Sequence, residues 1–411
     1  MTATLRSPVA AMSHRDYRIF WFSSVVSNVG SLASLTALGW VVKEQTGSPF
    51  RVTLVAVAGL LPLTVAGPVG GALADRMRRR DLLAMSLALQ AVFGAAVAVV
   101  VAELADPYWT LFALSLTGGF VSSLGSPVQQ AIVTELVPAA DLRNAISLNS
   151  TQWNTSRAVG PLLAGVLISA VGAVWVFWIN AASFVVMAAA LFLIPARPVA
   201  STTGESFWQN LRAGVSYAGE SAGIRACLSA GGFVGVLLAP LTWLIAVIAT
   251  DGFEVDSGQF GVLASAFGFG ALLGAVVLLV LERHLVHHKV VILSLVGMAT
   301  SVAVLGVVPE LWMGVVALFA AGVSFTPGVS NIVSAMQGHT ADAFRGRVMS
   351  LWLMWFGMVS PVAVIVQGVV AEYSSIRVAL VGTAALSLAG TAAFVASGRH
   401  LAIDPPDDPP S

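Results

Sequence analysis

Charge is what this sequence has least of. Asp, Glu, Lys and Arg together make up 10% of it, against roughly 25% in soluble domains, which excludes a chain bathed in water on all sides. The single cysteine, Cys227, excludes an intramolecular disulfide frame and, set in an apolar window, reads as a small buried hydrophobe. Segments alternating apolar with polar are missing, which excludes a membrane β-barrel. No metal-ligand spacing, Ser/His/Asp set or phosphate-binding loop falls on an apolar run, so neither an enzyme nor an ATP-driven pump is expected, and no cofactor or bound metal. No nucleic-acid partner is expected either. Residues 1–15 are short and polar, and the first apolar run is too long for the core of a cleavable signal peptide.

What remains is hydrophobic: 57% of the residues, with 39 glycines besides, a composition suited to helices packed closely in lipid. A bilayer core of about 30 Å takes roughly 20 apolar residues in helical form. Windows bounded by charge, proline and glycine give twelve such runs, at 18–42, 52–74, 82–102, 108–134, 144–170, 174–195, 224–249, 258–281, 290–308, 311–336, 347–371 and 376–397. Of the 20 Lys and Arg residues, Lys43, Arg51 and Arg377 fall in one set of loops and Arg157 falls inside a run. The rest lie in the N-terminal arm, the opposite loops or the tail, or, as Arg18, Arg225 and Arg347 do, within the first two residues of a run beside them. The loops poor in Lys and Arg carry acids such as Glu103, Asp106, Asp251 and Glu372. The positive-inside rule then places both termini in the cytoplasm of a multi-pass protein of the plasma (inner) membrane.

The chain divides into an N-terminal arm (1–15), six spans (16–195), a polar linker (196–223), six further spans (224–398) and an acidic, proline-rich tail (399–411) expected to be disordered. Within the linker, Phe207-Trp208-Gln-Asn-Leu211-Arg212 has helical amphipathic spacing, readable as an interfacial helix or as a solvated connection. The two sets of spans share sequence. Pro127-Val-Gln-Gln-Ala-Ile132-Val133 matches Pro327-Gly-Val-Ser-Asn-Ile332-Val333, and Leu142-Arg143-Asn-Ala-Ile146 parallels Phe344-Arg345-Gly-Arg-Val348. Duplication of this kind predicts an all-α integral membrane fold of twelve transmembrane helices in two pseudo-symmetric six-helix bundles, with a substrate site near the bilayer midplane.

Three stretches carry a family resemblance. Gly71-Ala-Leu-Ala-Asp75-Arg76-Met-Arg78-Arg79-Arg80 is similar to the loop 2–3 motif of the major facilitator superfamily, with Arg78 in place of its usual second glycine. Trp40-Val-Val-Lys-Glu-Gln-Thr-Gly47-Ser48 resembles the end of span one in the branch of multidrug exporters that includes the enterobactin exporter. Asn149-Ser-Thr-Gln-Trp153-Asn154-Thr-Ser-Arg157-Ala-Val-Gly160-Pro161 resembles span five of that branch, with its Gly-Pro antiporter motif. The resemblance covers essentially the whole chain. It implies a monomeric exporter of small amphipathic compounds, drugs or a secreted metabolite such as a siderophore, working by alternating access on a proton gradient. An importer of the same fold and a non-transporting membrane sensor or assembly partner remain as other readings. Many relatives carry an acid in span one and an arginine in span four. This chain has Asn28 in the one and Gln129 and Gln130 in the other, which leaves the driving ion open.

Individual residues follow from depth and type. Gly71, Asp75, Arg76, Arg79 and Arg80, with Gly160 and Pro161, are the motif and gating candidates. The resemblance implies that Asp75 meets a facing helix terminus and breaks away on inward opening. Arg157 lies about 20 Å along its helix from the cytoplasmic end. A charge at that depth needs a partner or water, so Arg157 is either a cavity cation or a structural tie. Asn149, Trp153 and Arg157 are four apart and share a face. Asn28, Gln129 and Asn331 are the polar candidates for substrate contact, on spans that line the cavity in the resembling family. Trp243, Trp352 and Trp355 are candidates for stacking on an aromatic or cationic substrate, and Glu135, near a span end, is a candidate coupling carboxylate or an interfacial acid.

Overall fold

A computed structural model describes residues 9–74, 77–196, 207–281, 285–341 and 344–405. Its helices are α1 (Arg15–Thr46), α2 (Pro49–Ala74), α3 (Arg79–Glu103), α4 (Tyr108–Ala131), α5 (Val133–Leu136), α6 (Leu142–Val171), α7 (Ala173–Phe192), α8 (Phe207–Glu220), α9 (Ala222–Trp243), α10 (Ile245–Val247), α11 (Ser257–Leu281), α12 (His287–Val307), α13 (Leu311–Gly338), α14 (Arg345–Tyr373) and α15 (Ile376–Ala396). Twelve of them, all but α5, α8 and α10, run 20 residues or more and match the twelve expected spans, and no strand occurs among the described residues. Ten are long and apolar enough to cross a membrane. The other two are α2, 26 residues long, of which Pro49–Pro62 is the apolar part with described side chains, and α6, whose polar run from Asn149 to Arg157 lowers its hydropathy.

Two ends differ from expectation, each beside a proline. The fourth span breaks at Ile132, five residues after Pro127, and resumes as α5. The seventh ends at Trp243, three residues after Pro240, and continues through α10 into a wide turn over Ile248–Gly252. A proline inside a helix removes one backbone donor and crowds the preceding turn, so a break just beyond it follows. The linker segment is helical as α8. Tyr217 of α8 stacks on Phe344 at 4.6 Å, and its hydroxyl accepts from the Ala341 N–H at 3.1 Å. The tail is not disordered throughout: Arg399–Ile403 forms a 3₁₀ turn whose Ile403 is fully buried.

The chain forms two compact units, residues 1–38 with 58–203, and residues 39–57 with 204–411. The chain-order halves therefore exchange one piece, since the last turns of α1 and the first of α2 pack within the second unit. Inside each unit the same contacts recur. Gly94 of α3 sits against Ala181 of α7, and Gly306 of α12 against Leu380 of α15. Gly125 of α4 meets Ser86 of α3, and Gly328 of α13 meets Ser294 of α12. Gly119 of α4 abuts the backbone of Gly59 in α2, and Gly322 of α13 that of Phe267 and Ala271 in α11. Spans two, three, four and six thus pair as spans eight, nine, ten and twelve do, with small residues where backbones touch. The first unit's core joins Tyr17 and Phe20 to Leu83, Ile132, Met187 and Leu191.

Candidate substrate site

In the first unit α1 and α6 lie side by side in fixed register. The Tyr17 hydroxyl donates to the Ala145 carbonyl at 2.9 Å and reaches Asn149 Oδ1 at 3.1 Å. Trp21 Nε1 donates to the Leu148 carbonyl at 3.2 Å. Further along, a Cβ at Gly160 would stand 2.8 Å from Leu32 Cβ and 3.1 Å from both Ala33 N and Val29 O. Glycine there lets the two backbones touch, and Pro161 beside it is buried. Partners in the hydroxyl and indole bonds are separated by 128 and 127 residues, so the two helices run parallel without slipping.

That register sets Ser24 opposite Gln152 and Asn28 opposite Ser156. Both pairs are four apart on their own helix, hence on one face. All four side chains are at least nine-tenths buried, Asn28 being 7% exposed and Gln152 4%. Ser24 Oγ, Asn28 Nδ2, Gln152 Nε2 and Ser156 Oγ have no hydrogen-bond partner among the described residues. A buried donor left unmet costs about 1–3 kcal/mol, and native proteins keep few of them. Four together, between the tight contacts at Tyr17 and Gly160, give the seam unspent hydrogen-bonding capacity among the described residues. Trp153 and Arg157 follow Gln152 and Ser156 by one residue each; Trp153 is 45% exposed and Arg157 half-buried. On a third helix, Asn180 and Ser183 of α7 pack against Gly30 of α1.

The motif residues are placed less completely. Asp75 and Arg76 lie outside the described residues, and Gly71 is described only as part of α2. Arg79 reaches Glu135 Oε1 at 3.0 Å and the Ala131 carbonyl at 3.4 Å, tying the start of α3 to the break after α4. Glu135 is therefore an ion-paired acid at a helix end. Arg80 donates to the Ile194 carbonyl at 3.1 Å just past α7 and lies over the Phe192 ring, a favourable place for a cation near a helix C-terminus. Gln129 is half-buried in α4.

In the second unit the candidates do not gather. Asn331 donates to the Pro327 carbonyl of its own helix at 3.0 Å. Trp352 is buried against Gly231 and 5.8 Å from the Phe356 ring, Trp243 packs beside Ala239 and Val364, and Trp355 Nε1 is engaged by the Leu228 carbonyl at 2.9 Å. Sequence reasoning selected Asn28, Asn149, Trp153, Arg157 and Gly160 but missed Ser24, Gln152 and Ser156. The signal was present as a stripe of small and polar residues at positions 152, 156 and 160.

A helical membrane protein of two duplicated six-span sets, with polar groups held between its first and fifth spans, is a transporter of the major facilitator class. Residues 6–401 match the family described as "Transmembrane secretion effector", and the chain belongs to that family. It is 24% identical over 92% of both chains to the multidrug efflux pump Tap of Mycolicibacterium fortuitum. It is 25% identical to the enterobactin exporter EntS of Escherichia coli O1:K1 / APEC, over 83% of this chain and 81% of that one. A shorter match, 33% identical over 42% of this chain and 40% of the other, is to the uncharacterized MFS-type transporter YfiS of Bacillus subtilis (strain 168). Among solved structures, a point mutant of the nucleoside transporter NupG superposes with a TM-score of 0.77 at 14% identity, covering 93% of this chain and 99% of that one. A bacterial homologue of the human lysosomal transporter Spinster does so with 0.74 at 14% identity, covering 96% and 99%. These two likenesses carry the fold alone.

Proposed function

We propose that the protein is a secondary active exporter of small amphipathic compounds, working by alternating access in the cytoplasmic membrane with both termini inside. The observation that carries the reading is the α1–α6 seam. A few buried hydrogen-bonding groups without a partner among the described residues, in a bundle whose helices are otherwise largely apolar, suit ligands that are mostly greasy with a few polar handles. Nearly full-length similarity to proteins named for multidrug efflux and enterobactin export supports the outward direction. In this reading Asn28, Gln152 and Ser156 take the ligand's polar atoms, Trp153 offers an aromatic face, and Arg157 a cation. The proton gradient is the driving force, and no cofactor takes part.

Accumulation of a lipophilic dye in cells with and without the chain tests this, repeated after a protonophore. Lower accumulation with the chain, lost on adding the protonophore, is expected. Equal accumulation across a panel that includes a macrolide and a catecholate siderophore would overturn the export reading.

A further inference from the structure

The second unit holds residues 39–57 by charge as well as by packing. Lys43, three residues before the end of α1, is buried, its side chain only 8% exposed. Its ammonium donates to the Gly47 carbonyl at 2.6 Å and to Asp251 Oδ2 at 2.8 Å. Asp251 sits on the wide turn Ile248–Gly252 with a side chain 36% exposed, and its other oxygen accepts from Thr250 Oγ1 at 3.0 Å. Nearby, Glu372 in the last turn of α14 accepts from Ser48 Oγ at 2.8 Å and from the Phe50 N–H at 3.1 Å. That places a carboxylate at the amino end of α2, where the helix dipole favours it. Apolar contacts complete the joint: Trp40 lies on Phe260 at 4.7 Å, Thr53 abuts Gly368, and Ala56 and Val57 pack beside Ala239, Ala363 and Val364.

We propose that Asp251 and Glu372 are the positioning residues of an acid-released latch. As carboxylates they hold residues 39–57 against the second unit, and neutralising them frees that segment. The inference rests on the alternating-access reading, which requires the side opposite the basic loops to open and close. The continuous helices α1 and α2 each belong to both units, parting at residues 38/39 and 57/58, so contacts made by 39–57 bear directly on that opening. The asymmetry of exposure gives the latch its sense. Solvent protons reach Asp251, whereas Lys43 is shielded, and a protonated Asp251 leaves a buried ammonium with only a neutral carbonyl, an unfavourable arrangement. The contact is therefore closed with Asp251 ionised and weakened with it neutral. The other charged groups on the elements meeting here are Glu44 on α1, Arg51 on α2, Glu254 and Asp256 after the turn, and Arg377 on α15. Arg377 is engaged by the Gly252 carbonyl at 2.9 Å and the Val308 carbonyl at 3.2 Å, which fixes the turn carrying Asp251 to α15.

The test reads accessibility rather than transport. Ala56→Cys is placed in the full-length protein in intact cells and labelled from outside with a membrane-impermeant maleimide; the buried Cys227 sets the background. Labelling about tenfold faster in Asp251→Asn than with Asp251 intact is expected, with a return to the slow rate in the charge exchange Lys43→Asp/Asp251→Lys. Labelling is expressed relative to the rate in Asp251→Asn/Glu372→Gln at the same pH, which carries the thiol's own loss of reactivity in acid, and on that scale acidifying the medium should speed labelling while Asp251 and Glu372 are present. Equal rates in all these proteins, or labelling indifferent to external pH on that scale when Asp251 and Glu372 are intact, overturn the latch. If Asp251→Asn does not accumulate, the pH dependence of labelling in Ala56→Cys alone decides. A protein that exports nothing yet shows the labelling pattern would overturn the export reading and leave the latch standing.

Discussion

Replacing Asn28 by Leu and Gln152 by Met should make the protein more stable and less active at once. Each substitution keeps side-chain volume close to the original and removes one buried amide donor that has no partner among the described residues. Such a donor costs about 1–3 kcal/mol, and hydrogen bonds within membrane bundles measure nearer the lower end. About 1 kcal/mol per site is therefore a fair expectation, or about 2 kcal/mol for the pair. For a unit of this size each kcal/mol moves Tm by roughly 2–4 °C, so the double variant should unfold about 4–8 °C higher in nanodiscs, followed by tryptophan fluorescence. Efflux of an acceptor-rich substrate such as a macrolide should fall at least about tenfold, the kinetic equivalent of about 1.4 kcal/mol of lost binding. A lipophilic cation without acceptors, tetraphenylphosphonium, should lose far less. If Tm falls by several degrees, the amides are paired in the working protein and the seam is ordinary packing. If Tm rises while both substrates move at the normal rate, the seam is not where substrates bind.

Four further outcomes follow from named contacts. Gly322→Val drives a side chain into the Phe267 carbonyl and the Ala271 amide, backbone atoms that cannot yield, and should prevent accumulation of folded protein on immunoblots of membranes. Tyr17→Phe deletes the bonds to Ala145 O and Asn149 Oδ1 and should lower stability by about 0.5–1.5 kcal/mol, read as a Tm shift of a few degrees. Glu135→Gln breaks an ion pair whose partners are 28% and 26% exposed. It should cost under about 1 kcal/mol, leaving abundance unchanged on immunoblots. Asp404 gives a pH signature. Burial opposes its ionisation, yet the His288 N–H and ring and the neighbouring His287 outweigh that and hold its carboxyl below the usual range. Its contribution is thus present above the unfolded carboxyl's value of about 4 and lost as pH falls through the lowered folded one. Asp404→Asn should be less stable than the unaltered protein at neutral pH, with the gap closing below about pH 4 in thermal melts.

Much of the fold was legible because lipid writes its demands in a coarse alphabet. Runs of about 20 apolar residues bounded by Arg and Lys located the helices, and helix α12 (His287–Val307) began only three residues before its expected run. Helix breaks were harder. A proline announces a disturbance but not its form, so the resumption as α5 beyond Pro127 and the wide turn beyond Pro240 were hidden. The exchange of residues 39–57 was also hidden, because it depends on Lys43 finding Asp251 more than 200 positions away. At the candidate site, conspicuous residue types were read and quiet ones were not. Arg157 and Trp153 drew notice as a charge and a ring in an apolar run, while Gln152 and Ser156 become meaningful only when the register with α1 shows them facing Ser24 and Asn28. The tail misled for a related reason: its proline-rich, acidic end conceals that Asp404 caps α12 through the His288 N–H at 2.9 Å.

Uptake of a lipophilic dye into proteoliposomes holding the full chain, with a proton gradient imposed across the bilayer, tests the central claim most directly. Dye should build up against its concentration gradient only when protein and proton gradient are both present, and should leak away on adding a protonophore. Uptake equal to that of protein-free liposomes, for this dye and for a macrolide alike, would contradict the account.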